Sequence, residues 1–320
     1  MILQDSYIPP YTISSRIVHL ISEISEKITL LKYQTETTRL PMLRRANRIK
    51  TLAGTLEIEG NYVGEEKITA ILGGKRVLGT TQELTEVEGA IKAYEQIESY
   101  RYDRLDDLLQ AHQTMTAKLL DDAGSFRTVN VAVGAHIAPP HTQVATLMQQ
   151  LFSWLEQSDE HLLIKSCVFH YEFEFIHPFR DGNGRIGRLW QSVILMAHNP
   201  LFGILPTESI IRDHQASYYQ ALEGSTSAGE CTLFIEFMLA RILEAIEQVG
   251  NEVGSKVGNL TANQQTIISS MRADPKVSAA MLAEIVGISK RKVEENVAKL
   301  KKMGLVERVG GTRGYWEVRV

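Results

Sequence analysis

Twelve residues, HPFRDGNGRIGR at 177–188, contain one histidine, one aspartate, one asparagine, three glycines and three arginines. Histidine titrates near neutral pH, so His177 can take a proton from a hydroxyl approaching a phosphorus atom. Asp181 is a hard oxygen ligand suited to Mg²⁺, an ion commonly bound through one or two carboxylates plus substrate phosphates. The run Asp181-Gly182-Asn183-Gly184 resists a helical path, because glycine favours positive-φ turns and asparagine tolerates them. Beyond it Ile186, Leu189, Trp190, Val193, Ile194 and Ala197 recur at helical spacing, so a new helix starts inside the motif. Its free N–H groups attract anions, its glycines allow close approach to the backbone, and Arg185 and Arg188 add two cations at the same end. A tight turn with surface arginines would account for a lone Gly-Asn-Gly. It does not account for base, acid, turn and paired arginines together, which predict a polyphosphate cradle beside a base, hence phosphoryl or nucleotidyl transfer.

The elements that must position these groups are mostly helical. Ile17, Ile21, Ile24, Ile28 and Leu31 form an apolar stripe that Ser14 or Ser15 can cap. The basic stretch LRRANRIKTLAGTLEIEGN reads as helix as far as Gly60 and Asn61, and EEKITAILGG as a short helix closed by Gly73 and Gly74. Further helices are expected at 81–99, 103–121, 142–157, 160–176, 184–198, 207–223 and 230–249. One stretch alternates instead: in RTVNVAVGAHIAPP, Val129, Val131 and Val133 are bounded by Gly134 and the Pro139-Pro140 pair, which predicts a hairpin.

A chain of 320 residues holds about two domains. Its composition, 44% hydrophobic and 22% charged, is that of a globular protein, and a net charge of -4 argues against nucleic-acid binding along the whole surface. GNEVGSKVGN reads as a linker. After it, residues 261–320 carry 11 Lys+Arg against 6 Asp+Glu, or +5, leaving -9 for the remainder. Cys167 and Cys231 lie in apolar helical contexts without metal-binding spacing and read as buried thiols of a reducing compartment. The N-terminus has neither a signal-peptide pattern nor a membrane anchor, so a cytoplasmic protein without membrane contact is expected. His136, His141, His161, His170 and His214 form no recognised metal-binding spacing.

The twelve-residue motif closely resembles the signature of the Fic family, HPF-x-[D/E]-GNGR-x-x-R, and matches it at every specified position. The resemblance runs from the N-terminal helices to about residue 245. It implies a mainly α fold, a Fic-type helical bundle with a short β-hairpin flap, and a reaction that moves AMP from ATP to a Ser, Thr or Tyr hydroxyl of a target protein. By position it implies His177 as the base, Asp181 as the Mg²⁺ ligand, and Gly182, Asn183 (side chain included) and Gly184 around the phosphates. Arg185 and Arg188 would then grip the β- and γ-phosphates, with Phe179 in the core. The ANKR-type variation of relatives that transfer the γ-phosphate is absent, which favours AMP transfer over kinase activity; phosphocholine transfer, known in other relatives, stays open as the less favoured alternative. Residues 127–137 correspond to the flap that aligns a target segment by strand pairing. Tyr218 and Tyr219 are candidates for base contact, for self-modification or for the core.

The resemblance also covers TLEIEGN, where Thr55, Glu59 and Gly60 fit the family's inhibitory pattern [S/T]-x-x-x-E-[G/N]. A carboxylate there would pair with Arg188 and occupy the place of the γ-phosphate. Some relatives with this element also remove AMP from a modified target, the glutamate orienting an attacking water, so a de-AMPylase is the alternative direction.

Residues 261–320 have a different pattern. A helix starts near Thr261, Ser278 caps a second that ends at Gly287, and Ser289 caps a third, KRKVEENVAKLKKMG; LVERVGGTRGYWEV then reads as a hairpin. This is a C-terminal winged helix-turn-helix domain. Lys290, Arg291, Lys292, Lys299, Lys301, Lys302 and Arg313 could contact DNA phosphates, yet Glu294 and Glu295 interrupt that helix, so DNA and a protein partner both stay open, as does a homodimer. The expected organisation is 1–110, N-terminal helices with the inhibitory element; 111–250, catalytic core; 251–260, linker; 261–320, winged helix. A DNA-binding regulator whose larger domain only senses nucleotide is the competing function, although a sensor needs no base at His177.

Overall fold

A computed structural model describes residues 7–37, 41–134, 136–258, 260–310 and 314–318. Residue 135 of the expected flap, residue 259 of the expected linker and Arg313 of the expected wing lie outside these. The chain divides into two compact units, 1–25 with 47–245 and 26–46 with 246–320. Among the described residues each unit's sheet is a single two-stranded hairpin, so the fold is mainly α.

The apolar periodicities hold in the first unit and in the helices at 15–37 and 41–58, which the division crosses. Helix α1 (Ser15–Thr37) begins where the Ser14 hydroxyl accepts the Ile17 N–H at 3.2 Å. Helices α2 (Pro41–Ile58), α3 (Gly64–Leu72), α4 (Thr81–Glu95) and α5 (Leu105–Thr116) follow. Helix α4 starts in a reciprocal capping box between Thr80 and Glu83. The flap pairs less than its alternation suggests: β1 (Ala132–Val133) and β2 (His136–Ile137) are two residues each. The carbonyl of Val129 is drawn instead to the Arg127 guanidinium at 2.8 Å. Then come α6 (His141–Gln157), α7 (Leu162–Ile176) and α8 (Asn183–His198). Helix α7 is buried nearly all round, through Leu163, Val168, Phe169, Phe173 and Ile176, and so forms the axis of this core. Against it lies α8, where a Cβ on Gly187 would come 2.7 Å from Glu174 and 3.2 Å from Phe173. The expected helix at 207–223 is two, α9 (Thr207–Asp213) and α10 (Gln215–Ala228). Cys167 and Cys231 are both buried free thiols.

Helix α11 (Thr232–Gly258) runs through most of the segment read as a linker. Each glycine there costs about 1 kcal/mol of helix propensity. Val249 and Val253, one turn apart, are 0% and 1% exposed, and burying them offsets that cost. In the second unit α12 (Ala262–Ala273), α13 (Ala279–Val286) and α14 (Lys290–Lys302) are capped by Thr261, Ser278 and Ser289, and β3 (Val306–Val309) pairs with β4 (Tyr315–Val318). Trp316 of β4 donates to the Val277 carbonyl at 3.1 Å and lies beneath the cationic ends of Lys301 and Arg308. No helix of the described residues is long and apolar enough to cross a membrane.

Candidate functional site

His177 ends α7 in the left-handed region, φ 50° and ψ 61°, as the one non-glycine residue with positive φ among those described. That conformation costs a β-carbon-bearing residue roughly 1–2 kcal/mol, so its surroundings must hold it. Its N–H bonds the Phe173 carbonyl at 2.9 Å and its own carbonyl accepts from Arg127 at 2.8 Å. Burial pushes its pKa down, the Glu174 carbonyl partly opposing, so the imidazole is neutral near pH 7 and free to accept a proton.

The loop after it is held by side chains that sequence reasoning missed or assigned elsewhere. Phe179, fully buried, stacks on His112 with centroids 3.7 Å apart and planes 4° from parallel. His112 accepts the Gly124 N–H on Nδ1 at 2.8 Å, which leaves its Nε2–H to donate to the Asp181 carbonyl at 3.0 Å. Nothing in the spacing of LDDLLQAHQTMT marks this histidine as part of the site. Asn183 clamps the loop from inside: its carbonyl oxygen accepts the Phe179 N–H at 2.8 Å and its amide donates to the Phe179 carbonyl at 2.9 Å. The expectation that the Asn183 side chain holds phosphate is corrected by this geometry. Both of its polar atoms are engaged with the Phe179 backbone.

That start is uncapped. Gly182 is the N-cap residue at φ 82° with no side-chain cap, and the first bond of the helix runs from the Ile186 N–H to the Gly182 carbonyl. The N–H groups of Asn183, Gly184 and Arg185 therefore have no partner in α8. The Arg185 residue is 4% exposed; Nη2 lies 3.4 Å from Asp181 Oδ1, and Nε and Nη1 are buried without partners. Asp181 itself points largely to solvent, one oxygen accepting the Gly182 N–H at 2.6 Å. One exposed carboxylate beside an anion cradle suits a Mg²⁺ ion whose other ligands come from phosphates and water. No set of three acidic, histidine or cysteine side chains capable of holding a metal exists among the described residues.

Arg188 is built differently. Its Nε donates to the Thr55 hydroxyl at 3.1 Å, and Nη2 donates to the Thr55 carbonyl at 3.1 Å and to Glu59 Oε1 at 2.6 Å. Burial by itself would lower its pKa, but Glu59, Tyr218 and Glu174 together outweigh that and the net shift is upward. Helix α2 delivers Glu59 through its ending: the Asn61 N–H bonds the Leu56 carbonyl and the Gly60 N–H bonds the Glu57 carbonyl, with Gly60 at φ 86°. Glu59 is the last residue before that left-handed turn. Gly184 lets the carboxylate in, because a Cβ there would lie 2.3 Å from Glu59 Oε1. Three further contacts fix α2: Arg212 to Glu57 at 2.9 Å, Gln215 to the Ile58 carbonyl at 2.9 Å, and Gly54, whose Cβ would meet the Glu208 backbone at 2.6 Å. None of these three stood out in the sequence.

Glu59, Glu174, His177, Arg188 and Tyr219 line one cavity of ≈ 570 Å³, with flap residues Val133 and His136 on its wall. This is the size of a small-molecule site. Glu174 is a further residue the sequence did not announce: burial pushes its carboxyl up to about 8, Arg188 opposing and Glu59 adding. Tyr218, a buried residue, donates to His170, which donates in turn to Gln191 at 2.8 Å; burial drops the His170 pKa to about 3. Tyr218 thus belongs to a core network with its ring edge at the cavity, and Tyr219, 46% exposed, faces the opening.

Comparison with known proteins agrees with this geometry. Residues 102–195 match the Fic/DOC family model, and residues 260–307 match the model described as winged helix-turn-helix DNA-binding. A crystal structure of a Fic family protein from Desulfovibrio desulfuricans G20 is 38% identical, with 98% of each chain covered and a TM-score of 0.75. A Fic-1 fragment from C. elegans is similar in fold, with a TM-score of 0.62 at 22% identity over 74% of each chain. Two proteins named protein adenylyltransferase Fic, from Culex quinquefasciatus and Drosophila melanogaster, are each 28% identical over 61% of this chain. The chain spans 41% of the length of each of these curated relatives.

Proposed function

The chain belongs to the Fic family, and from that premise we propose that it is a self-inhibited protein adenylyltransferase moving AMP from ATP to a Ser, Thr or Tyr hydroxyl of a target protein. One observation carries the reading: a buried guanidinium, Arg185, with two unpartnered nitrogens at an uncapped helix start, one loop away from a partly buried imidazole whose pKa is pushed down. A buried guanidinium met only through one nitrogen, by a largely exposed carboxylate at 3.4 Å, is under-compensated, and an anion that fills the cradle offsets that cost. His177 takes the proton of the incoming hydroxyl as its oxygen bonds the α-phosphorus and the bond to the β-phosphate oxygen breaks, releasing pyrophosphate. The N–H groups of Asn183, Gly184 and Arg185 and the Arg185 side chain hold the phosphates in line, so positioning and preorganised charge do most of the work. Mg²⁺, held through Asp181, would neutralise charge on the phosphates when bound.

Glu59 acts as the brake. At 2.6 Å from Arg188 it occupies the cation that the outermost phosphate needs, and Thr55 holds that cation in place from the same helix. Because Glu59 and His177 line one cavity, the same pair also supports the reverse reaction, with Glu59 orienting a water toward the AMP ester.

The test is labelling of lysate protein with ATP carrying label at the α- or the γ-phosphate. We expect Glu59→Gly to incorporate α-label at least 10-fold faster than the unmodified chain, and Glu59→Gly with His177→Ala to incorporate none. Label from the γ position alone would make this a kinase, and label from neither would end the transferase reading. Labelled product re-incubated without ATP reports the reverse reaction by a loss of label that depends on Glu59.

For residues 261–320 we propose duplex DNA as the partner, on the exposed cations of α14, Lys290, Arg291, Lys292, Lys299, Lys301 and Lys302. An acidic protein surface is the alternative for the same face.

A further inference from the structure

The carbonyls that close helix α7 are satisfied by residues of the flap. The Phe175 carbonyl bonds His136 Nε2 at 2.9 Å, and the Ile176 and His177 carbonyls accept from Arg127 at 3.2 and 2.8 Å. The Pro178 carbonyl accepts the Arg127 backbone N–H at 2.9 Å. The same guanidinium reaches the other way, to the carbonyls of Val129 at 2.8 Å and Pro139 at 2.5 Å, which bracket the hairpin at both ends. Arg127 is 2% exposed, and these four hydrogen bonds of its side chain all end on main-chain carbonyls.

We propose that Arg127 is a positioning residue that couples the flap to His177, so that the strand which receives a target segment and the left-handed backbone that aims the base are held by one guanidinium. An arginine fork is required for this, since four carbonyls in different directions match five planar donors and cannot all be met by one ammonium. A purely local role would need only the His177 and Ile176 bonds, which terminate α7. The bonds to Val129 and Pro139 make any shift of the flap a change in the contacts that hold a strained φ. A target strand that orders the flap thereby tightens the base, and an empty flap leaves it looser.

The coupling rests on the transferase reading for its consequence in catalysis but not for its geometry, and the test separates the two. Arg127→Lys, which keeps the charge and the stem, is compared with Asn130→Ala in the full-length chain. Asn130 ties the flap to His141 through its side-chain oxygen at 2.9 Å and touches nothing at His177. Amide exchange and the His177 ring resonances are read in both. We expect Arg127→Lys to speed exchange at 129–138 and at 175–179 together, on the order of 10-fold, and to shift the His177 resonances and their titration midpoint. Asn130→Ala is expected to speed exchange in the flap alone. In the Glu59→Gly background, Arg127→Lys should lower kcat for α-label incorporation on the order of 10- to 100-fold with the KM for ATP unchanged, the size of loss that misplacing a reacting group by about 1 Å produces. Unaltered exchange at 175–179 with unaltered His177 resonances overturns the coupling, and so does a loss confined to the KM for ATP. If Glu59→Gly incorporates no label at all, the transferase reading falls, while exchange and resonances still decide whether Arg127 joins flap and base.

Discussion

Helices α8 and α14 both begin with cations, and the two beginnings differ in every other respect. At α14 the Ser289 hydroxyl caps the Lys292 N–H, Lys290, Arg291 and Lys292 are exposed, and Arg291 pairs with Glu295 at 3.1 Å. At α8 no side chain caps the first turn, Arg185 is buried, and two of its nitrogens lack partners. An exposed cation keeps its water and does not by itself demand a ligand; a buried one with two nitrogens lacking partners has lost that water and stays costly until an anion arrives. The same residue types thus make a site in one place and a solvated face in the other. Burial is what separates them, and it is also what can be tested.

If the surroundings of α8 are as dry as this comparison requires, Glu174 should dominate the pH dependence of stability. Its folded-state pKa is pushed from 4.5 up to about 8, so the folded chain keeps a proton that the unfolded chain releases near 4.5. Protonated Glu174 therefore favours folding fully below about pH 4.5, and this contribution is lost as pH rises through about 8. Glu174→Gln should remove this part of the decline, with a difference of a few kcal/mol across the window, read from urea midpoints at pH 5, 7 and 9. An unchanged slope in the variant would mean that water reaches the carboxyl and that α8 differs less from α14 in its dryness.

A smaller effect distinguishes the two arginines of the motif. Arg188→Ala strands Thr55, and leaves Glu59 facing Glu174 with no cation between, so it should lower stability by about 2–3 kcal/mol, the loss expected when charge-assisted bonds are removed from partners that remain. Arg185→Ala removes a buried charge whose counter-charge in the free chain is the largely exposed Asp181 carboxylate at 3.4 Å. It should change stability little or raise it, while weakening ATP binding at least 10-fold in the Glu59→Gly background, as calorimetry would show. Equal destabilisation by both changes would mean that Asp181 already balances Arg185 as fully as Glu59 balances Arg188, and that the cradle has no standing need of an anion.

The sequence made the motif legible because its chemistry is concentrated in twelve consecutive residues and its helix start follows from glycine and asparagine. The pattern ending in Glu59 and Gly60 was equally compact, since a helix terminator fixes where the carboxylate comes to rest. His112, Arg127, Glu174 and Arg212 were not visible, because each acts through burial or through partners distant in sequence, such as Asp181, His177 and Glu57, and neither leaves a mark on local spacing. The Asn183 side chain misled for a related reason. Its type suits phosphate contact, but its location 2% exposed behind Phe179 commits it to the loop. The linker failed on another ground: three glycines signal a break, yet two buried valines on one face were enough to keep α11 helical through them.

The smallest effect belongs to α14, where its sign is informative. Lys290 and Lys292 lie in the first turn, at the positive end of the helix dipole, where each cation costs its own helix about 0.3–1 kcal/mol at low salt. Replacing both with alanine should therefore leave the second unit as stable as before, or slightly more so by a few tenths of a kcal/mol. If the face holds duplex DNA, the same double change should lower the slope of log affinity against log salt by about 2, one unit for each phosphate no longer neutralised. A rise in stability with an unchanged salt slope would mean that these lysines serve no DNA, and would move the C-terminal unit to protein docking. At α14, unlike α8, nothing buried demands a partner, so the salt slope and not the geometry of the chain decides whether these exposed cations serve one.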